Sequence, residues 1–266
     1  MRVDSLSLIQ RRIALIERGG RAATEAAGHA PTGHDRIDRA LGGGVMRARV
    51  HELVAESAAE AGSGAGFVGV LAHRLGGEMI WLRERDAELR QGQLHAPGVA
   101  AIGIDPARLL LGVLPDAAAV LRAAADAVRC AGLGTVVIEL WGNPRAYDLT
   151  ASRRLALLAE ASGVTALLLR VGGAVAPSAA QTRIGVSPAP SVPLAADAPG
   201  YPAWTVELQR QRGRPAGGIW RVEWDWEHGQ LRDQDHDAAT LSGAVPPLSG
   251  DRPAGAIGAA GLRRTG

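Results

Sequence analysis

The stretch of the sequence that could do phosphate chemistry is AESAAEAGSGAGF, residues 55–67. It follows a short apolar run and precedes a helical pattern, which is where nucleotide-binding α/β proteins carry their phosphate loop. A working loop of this kind needs a lysine to neutralise the phosphates and a serine or threonine hydroxyl to hold Mg²⁺. Here Ala65 stands about where the lysine belongs and Gly66 about where the hydroxyl belongs. We therefore predict a degenerate phosphate loop, with Gly62, Gly64, Ala65 and Gly66 in a turn that keeps its geometry without phosphate chemistry.

The chain contains no lysine, and its 29 basic residues are all arginine. This composition excludes every mechanism that depends on a lysine, including Schiff-base chemistry and neutralisation of phosphates by a loop lysine. An anion at the N-terminus of the following helix would gain only about 0.3–1 kcal/mol from the helix dipole. Hydrolysis of ATP needs more than that, because it depends on charges positioned at the transferred phosphoryl group. We expect neither ATPase activity nor a bound cofactor.

Two glutamates lie at the ends of strand-like runs, where acidic residues attend Mg²⁺ or water in nucleotide-binding folds. Glu84 closes the run EMIWLRE, and Glu139 lies near the end of TVVIEL. Because no phosphate clamp accompanies them, we predict that both are surface or hydrogen-bonding carboxylates. The seven histidines do not have the spacing of a metal-binding motif, and the single Cys130 cannot form a cysteine cluster. No metal site is predicted.

Three arginines alternate with other residues at the tip of a predicted hairpin: Arg210, Arg212 and Arg214. Alternate residues of an extended strand point to the same side, so these side chains would form a row. An arginine row of this kind could meet phosphates or an acidic protein surface. A solvated hairpin tip without a partner is an equally good interpretation of the same pattern.

Composition also indicates where the protein works. The formal net charge of +2 is too small to argue for a nucleic-acid partner. A single cysteine allows no internal disulfide, which fits a reducing compartment. No apolar run is long enough to span a membrane, and the N-terminus lacks the apolar core of a signal peptide. We predict a cytoplasmic protein that does not bind membranes.

Strand-like and helical runs alternate along most of the chain, and several of the strand-like runs are continuously apolar. This pattern is typical of a parallel sheet buried on both faces. Near the end, WTVEL and WRVEWDW flank a Gly/Pro turn and place their apolar residues on one face, which predicts an antiparallel hairpin. The predicted fold is therefore α/β, with a mainly parallel twisted sheet flanked by helices and a C-terminal antiparallel hairpin. The predicted strands are 49–55, 78–82, 108–113, 135–140, 164–170, 204–208 and 220–226; the predicted helices are 34–41, 66–75, 86–94, 117–132 and 151–163, with caps at Thr32, Asp116 and Thr150.

Four segments are predicted along the chain: an N-terminal amphipathic helix at 1–20, a linker at 21–31, a core domain at 32–226 and a mostly disordered tail at 227–266. The tail has many breakers and little periodicity. The helix either packs on its own domain or docks on a partner, since the linker would let it reach away. Its apolar stripe at helical spacing consists of Leu6, Ile9, Ile13 and Ile16.

The motifs, taken in order, resemble a known family. TGHDRIDRALGGGV at 32–45 followed by RVHEL at 49–53 resembles the entry to the RecA ATPase core. The HEL strand, the AGSGAGF segment and the two tryptophan-rich hairpin strands are similar to those of ImuA proteins, which are RecA-like proteins with a ruined phosphate loop. The resemblance implies a non-catalytic accessory role in SOS mutagenesis and translesion synthesis after DNA damage. It further implies binding to ImuB, association with RecA, and an indirect link to an error-prone DnaE-type polymerase.

The sequence also departs from RecA. It lacks the phosphate-loop lysine and threonine, and its 171–182 segment is short for a RecA DNA-binding loop, which argues against direct DNA binding. The resemblance therefore implies no ATP-driven strand exchange. A cell-division inhibitor similar to SulA, which would bind FtsZ, is the alternative function; such chains are shorter and give no reason for the 3–31 extension. An active ATPase is the third hypothesis, and the missing lysine opposes it.

Overall fold

The computed structural model describes residues 28–174, 176–194, 196 and 198–234. These residues contain a two-stranded sheet, a nine-stranded sheet and six α-helices. The strands are β1 (His29–Ala30), β2 (Val45–Met46), β3 (Val50–Ala55), β4 (Glu78–Glu84), β5 (Leu109–Leu114), β6 (Leu133–Trp141), β7 (Thr165–Val171), β8 (Thr182–Pro188), β9 (Ala203–Gln211), β10 (Ile219–Asp225) and β11 (Gln230–Asp233). The helices are α1 (Asp35–Leu41), α2 (Ala61–Leu75), α3 (Arg85–Gln91), α4 (Ala96–Ala101), α5 (Ala117–Val128) and α6 (Leu149–Ser162).

The large sheet is mixed, with the order β11-β10-β9-β8-β3-β7-β6-β4-β5. The six strands from β8 to β5 in this order pair in parallel. On the other side of β8 the pairing is antiparallel: β9 pairs with β8, β10 with β9, and β11 with β10. β3 and β7 are buried along their whole length, as continuously apolar runs predict. The predicted fold class is confirmed, including the antiparallel strands near the C-terminal end of the described chain.

Helices cover the parallel strands on both faces. α2 packs on one face through Phe67, Val68 and Leu71. α5 and α6 pack on the other face, where Val120 and Leu155 join the second apolar cluster. The β9–β10 hairpin extends the first of these faces with buried tryptophans, whereas its opposite face is polar apart from the exposed Ile219. The sequence pattern therefore identified the buried face of the hairpin correctly, with one exception: Trp226 lies beyond β10, is 48% exposed and makes an edge contact with Tyr201.

Strand β8 was not predicted. Its sequence TRIGVSP has only two large apolar residues, Ile184 and Val186, and it lies between two segments rich in alanine and proline. Its place in the sheet comes from pairing with β3 on one side and β9 on the other. Backbone pairing of this kind leaves little trace in the composition of the strand.

Both ends of the core extend beyond the predicted boundaries. The predicted linker 21–31 is wrong at its end, because β1 pairs with β2 and Ala30 is buried. A Cβ atom on Gly44 would clash with the carbonyl oxygen of Ala30. This glycine therefore lets β1 lie close to the backbone at the start of β2. The predicted tail is wrong at its start, because β11 pairs with β10 and buries Leu231 completely.

Two of the three predicted helix caps are wrong. His34 caps α1 by accepting a hydrogen bond from the backbone N–H of Ile37, and Thr32 instead donates to Asp38. Asp148 caps α6 in place of Thr150. Asp116 caps α5 as predicted, and Gly42 ends α1 in the left-handed conformation.

The predicted N-terminal helix, with Leu6, Ile9, Ile13 and Ile16, lies outside the described residues, as does most of the predicted tail. Within the described ranges, no helix has both the length and the apolar character needed to cross a bilayer.

Candidate functional site

The candidate site is a cleft at the carboxyl ends of the parallel strands. This is where open α/β sheets bind their ligands. The cleft lies between the β3–α2 connection and α3, below the end of β6, and has a volume of about 270 Å³. It is lined by Ala58, Glu84, Asp86, Ala87, Arg90, Gln91 and Trp141.

The glycine-rich segment is not a turn. The structure places Gly62, Gly64, Ala65 and Gly66 inside helix α2, which begins at Ala61. The turn between β3 and α2 is instead made by residues 56–60. The predicted degenerate phosphate loop is thus wrong in its position, because the glycines continue the helix.

Close packing explains two of these glycines. A Cβ atom on Gly64 would lie 3.0 Å from the Leu169 side chain and 3.2 Å from the Ala55 side chain. A Cβ atom on Gly66 would lie 3.3 Å from the ring of Trp204. The indole N–H of Trp204 also donates to the carbonyl oxygen of Ser63 at 2.9 Å. The glycines therefore let α2 lie close to the sheet and to the hairpin, which is a packing role.

A carboxylate of the protein itself accepts hydrogen bonds from the backbone amides of the β3–α2 turn. The Oε2 atom of Glu60 accepts hydrogen bonds from the N–H of Glu56 at 2.8 Å and from the N–H of Ser57 at 3.2 Å. In a working phosphate loop, backbone N–H groups at this point of the chain bind phosphate oxygens. Here Glu60 supplies the anion from within the protein.

We expect Glu60→Ala to lower the free energy of unfolding by about 1 kcal/mol, the usual effect of losing a capping side chain. The backbone N–H groups of Glu56 and Ser57 would then donate hydrogen bonds to water instead. Urea denaturation followed by circular dichroism measures the change. Glu56→Ala, which removes an exposed carboxylate from the same turn, is the matched control and should be neutral. Equal stability of the two variants would show that the Glu60 contact is not formed.

Glu139, the second acid that the sequence singled out, is buried, and its carboxylate accepts three hydrogen bonds. Its Oε1 atom accepts from the guanidinium of Arg83 at 3.1 Å and from the indole N–H of Trp141 at 2.8 Å. Its Oε2 atom accepts from the indole N–H of Trp81 at 3.0 Å. The carboxylate is 3% exposed, so it is a hydrogen-bonding group and not a surface one. Both oxygens of Glu139 therefore accept hydrogen bonds from donors within the protein.

The remaining charges of the cleft do not suit a nucleotide. Glu84 and Asp86 line it together with Arg90, and Arg90 is paired with Asp86 at 3.3 Å. Burial raises the pKa of Glu84, with the charges of Asp116 and Asp86 adding to the shift. The lining therefore has more negative than positive charge and offers no unpaired cation to a triphosphate.

The predicted arginine row is divided between two environments. Arg210 lies in β9 and donates to the carbonyl oxygens of Ser178 and Ala180 at 2.9 and 2.8 Å. It is half-buried and fixes a loop of its own domain, so it is not a solvated residue of the hairpin tip. Arg212 and Arg214 are exposed beyond the strand.

A buried polar cluster, which sequence reasoning missed, lies beside Arg210. Glu52 is fully buried in the middle of β3, and its carboxylate accepts hydrogen bonds from Arg183, Tyr147 and Ser178, each at 2.8 Å. Burial raises the pKa of Tyr147, and the Glu52 charge contributes. The sequence held one signal of this cluster, a glutamate within the apolar run VHELVA. A charge buried in such a strand requires a partner, so a buried cation or hydrogen-bond donor could have been predicted beside it. The cluster ties β3, β8 and the 176–181 segment together.

One grouping in the described part of the chain has metal-ligand spacing. Asp225, Glu227 and His228 have ligand atoms within 4.8 Å of one another. Asp225 already accepts hydrogen bonds from the backbone N–H of Glu227 and from the ring of His228. These contacts account for the grouping as a turn after β10.

Comparison with known proteins gives two kinds of relative. No family model matches the chain. Two proteins named Protein ImuA, from Caulobacter vibrioides strains NA1000 / CB15N and ATCC 19089 / CIP 103742 / CB 15, are 36% identical to it over 189 residues, covering 64% of this chain and 73% of each relative. Among solved structures, that of the RadB recombinase matches 77% of this chain and 100% of its own with a TM-score of 0.53. At 14% identity, the RadB match shows a shared RecA-like fold and nothing about activity.

Proposed function

The chain belongs to the ImuA family, and from this premise we propose that it is a non-catalytic accessory protein of DNA-damage-induced mutagenesis. It acts by binding other proteins rather than by hydrolysing ATP. The observation that carries this proposal is the Glu60 carboxylate on the amides of the β3–α2 turn, where a nucleotide phosphate would otherwise bind.

The state of the second acid supports the same conclusion. Glu139 is shared among Arg83, Trp81 and Trp141, so the residue that would attend a metal ion stabilises the sheet instead. A carboxylate that accepts three hydrogen bonds in a buried site is costly to displace. A nucleotide in this cleft would compete with the hydrogen bonds of both Glu60 and Glu139.

The proposed partners are ImuB and, in a second interaction, RecA. Through ImuB the protein associates indirectly with an error-prone DnaE-type polymerase in the cytoplasm during SOS translesion synthesis. Direct DNA binding is not part of the proposal. The proposed contact residues are the apolar stripe Leu6, Ile9, Ile13 and Ile16 and the exposed arginines Arg212 and Arg214. Arg210 is removed from this set, because it is half-buried and its guanidinium donates three hydrogen bonds to Ser178 and Ala180, whereas Arg212 is exposed and its guanidinium donates one, to Ala179.

A pull-down tests the function directly. We expect the tagged full chain to retain purified ImuB, and RecA more weakly, with yields that are the same with and without millimolar ATP. The double variant Ile9→Asp/Ile13→Asp should lose this binding, since binding energy is concentrated in a few apolar anchors. Its circular dichroism spectrum and urea midpoint should match the wild type.

Three outcomes would contradict the proposal. Retention of FtsZ alone would favour the SulA-like division inhibitor. Capture that requires ATP would mean that the cleft binds nucleotide. Unfolding of the Ile9→Asp/Ile13→Asp variant would assign the stripe to internal packing and remove it from the partner surface.

A further inference from the structure

A groove between helices α5 and α6 lies on the face of the sheet opposite α2. Its volume is about 250 Å³, below the roughly 300–1,000 Å³ typical of small-molecule sites. The groove therefore has room for side chains from another protein rather than for a whole ligand. It is lined by Ala118, Leu121, Arg122, Ala125, Ala146, Ala151, Arg154 and Leu155.

Two exposed arginines, one from each helix, line the groove. Arg122 belongs to α5 and Arg154 to α6, and neither forms an ion pair within the described part of the chain. The acidic residues of the two helices and of their caps have partners of their own: Asp116 and Asp148 cap the helices, Asp126 pairs with Arg129, and Glu160 pairs with Arg49. The guanidinium groups of Arg122 and Arg154 are therefore available to carboxylates of another protein.

The rest of the groove is apolar. Its floor consists of alanines and of Leu121 and Leu155. Single-stranded nucleic acid binds to aromatic platforms beside basic residues, and the groove lining includes no aromatic side chain. Leucine and alanine beside paired arginines favour a protein that presents both carboxylates and apolar side chains.

We propose that the α5–α6 groove binds an acidic amphipathic helix of a partner protein. The apolar stripe of that helix packs on the alanine and leucine floor, and its carboxylates accept hydrogen bonds from Arg122 and Arg154. Charge-assisted pairs of this type fix the position of the helix and exclude basic partners. This surface is separate from the residues of the proposed ImuB and RecA contacts, so it stands independently of that function.

Fluorescence anisotropy with two labelled peptides tests the groove. Both are helices of about 18 residues, long enough to be partly folded alone, with one leucine stripe; one carries glutamate beside the stripe and the other arginine. The full-length protein should bind the glutamate peptide and not the arginine peptide. Arg122→Glu/Arg154→Glu should weaken binding of the glutamate peptide about tenfold or more. Leu121→Ser, at a half-buried leucine of the groove lining, should weaken it by a smaller factor.

The matched control is Arg39→Glu, which reverses an exposed arginine on α1, away from the groove, and should leave the affinity unchanged. Urea midpoints of all variants establish that they fold. Equal binding of the two peptides, or wild-type affinity in Arg122→Glu/Arg154→Glu, would overturn the proposal. Binding of an oligothymidine that the double variant loses, without binding of the glutamate peptide, would overturn it in favour of a phosphate-binding surface.

Discussion

Replacing Glu139 by alanine should lower the free energy of unfolding by about 3–5 kcal/mol, the range for breaking a buried ion pair at one partner. Arg83 would keep a buried positive charge without its counter-ion, since the pair is 5% and 3% exposed. The indole N–H groups of Trp81 and Trp141 would lose their acceptor as well. Urea denaturation at pH 7 measures the loss. Glu207→Ala, an exposed glutamate on β9, is the control and should change stability little.

A second variant keeps this test informative if the alanine variant fails to fold. Glu139→Gln preserves the volume and one acceptor oxygen but removes the charge that faces Arg83, so a smaller loss of about 1.5–3 kcal/mol is expected. Addition of Mg²⁺ and ATP to the wild type should leave its urea midpoint unchanged. A stable Glu139→Ala variant together with a wild type stabilised by Mg²⁺ and ATP would instead identify Glu139 as a metal-attending acid.

Acidification should destabilise the protein through His51. Its ring is buried between the hydroxyl of Thr182 and the carbonyl oxygen of Met46, both at 2.7 Å. Burial lowers the pKa of His51 from 6.5 to about 4 in the folded protein. Between these two values the unfolded chain binds a proton that the folded protein does not, so stability falls as the pH falls. At roughly 1.4 kcal/mol per pKa unit, this histidine alone removes about 3 kcal/mol between pH 6.5 and 4.

The free energy of unfolding, measured by urea denaturation at intervals from pH 7 to 4, checks this prediction. His51→Gln keeps an amide that can donate to Met46 but cannot gain a charge, so its stability should depend less on pH and approach that of the wild type near pH 4. His95→Gln, at an exposed position before α4, is the control and should follow the wild-type curve. Parallel curves for the wild type and His51→Gln would refute the role of His51.

In the cleft at the carboxyl ends of the strands, two acidic side chains bind groups of the protein itself. Glu60 binds the turn amides, and Glu139 binds Arg83 and two tryptophans. Each carboxylate thus satisfies hydrogen-bond donors of the protein itself. These internal contacts support the proposal that this RecA-like domain acts through its surfaces.

The amino-acid pattern was sufficient to predict the α/β class, the mainly parallel sheet and the tryptophan-rich hairpin. The reason is that continuous apolar runs and two-residue alternation are local consequences of burial, and they are written directly into β3, β7, β9 and β10. The absence of lysine, read from composition alone, likewise predicts that the chain has no working phosphate loop.

Contacts between distant parts of the chain were beyond the reach of the sequence. The glycines of α2 looked like a phosphate loop because their real reason, close approach to Ala55, Leu169 and Trp204, depends on residues up to about 140 positions away. The same holds for β8, which the sheet recruits through backbone pairing. It also holds for Glu52 and Arg183, whose ion pair joins two strands 131 residues apart. Local periodicity reports whether a residue is buried, and the tertiary fold alone establishes which residue lies beside it.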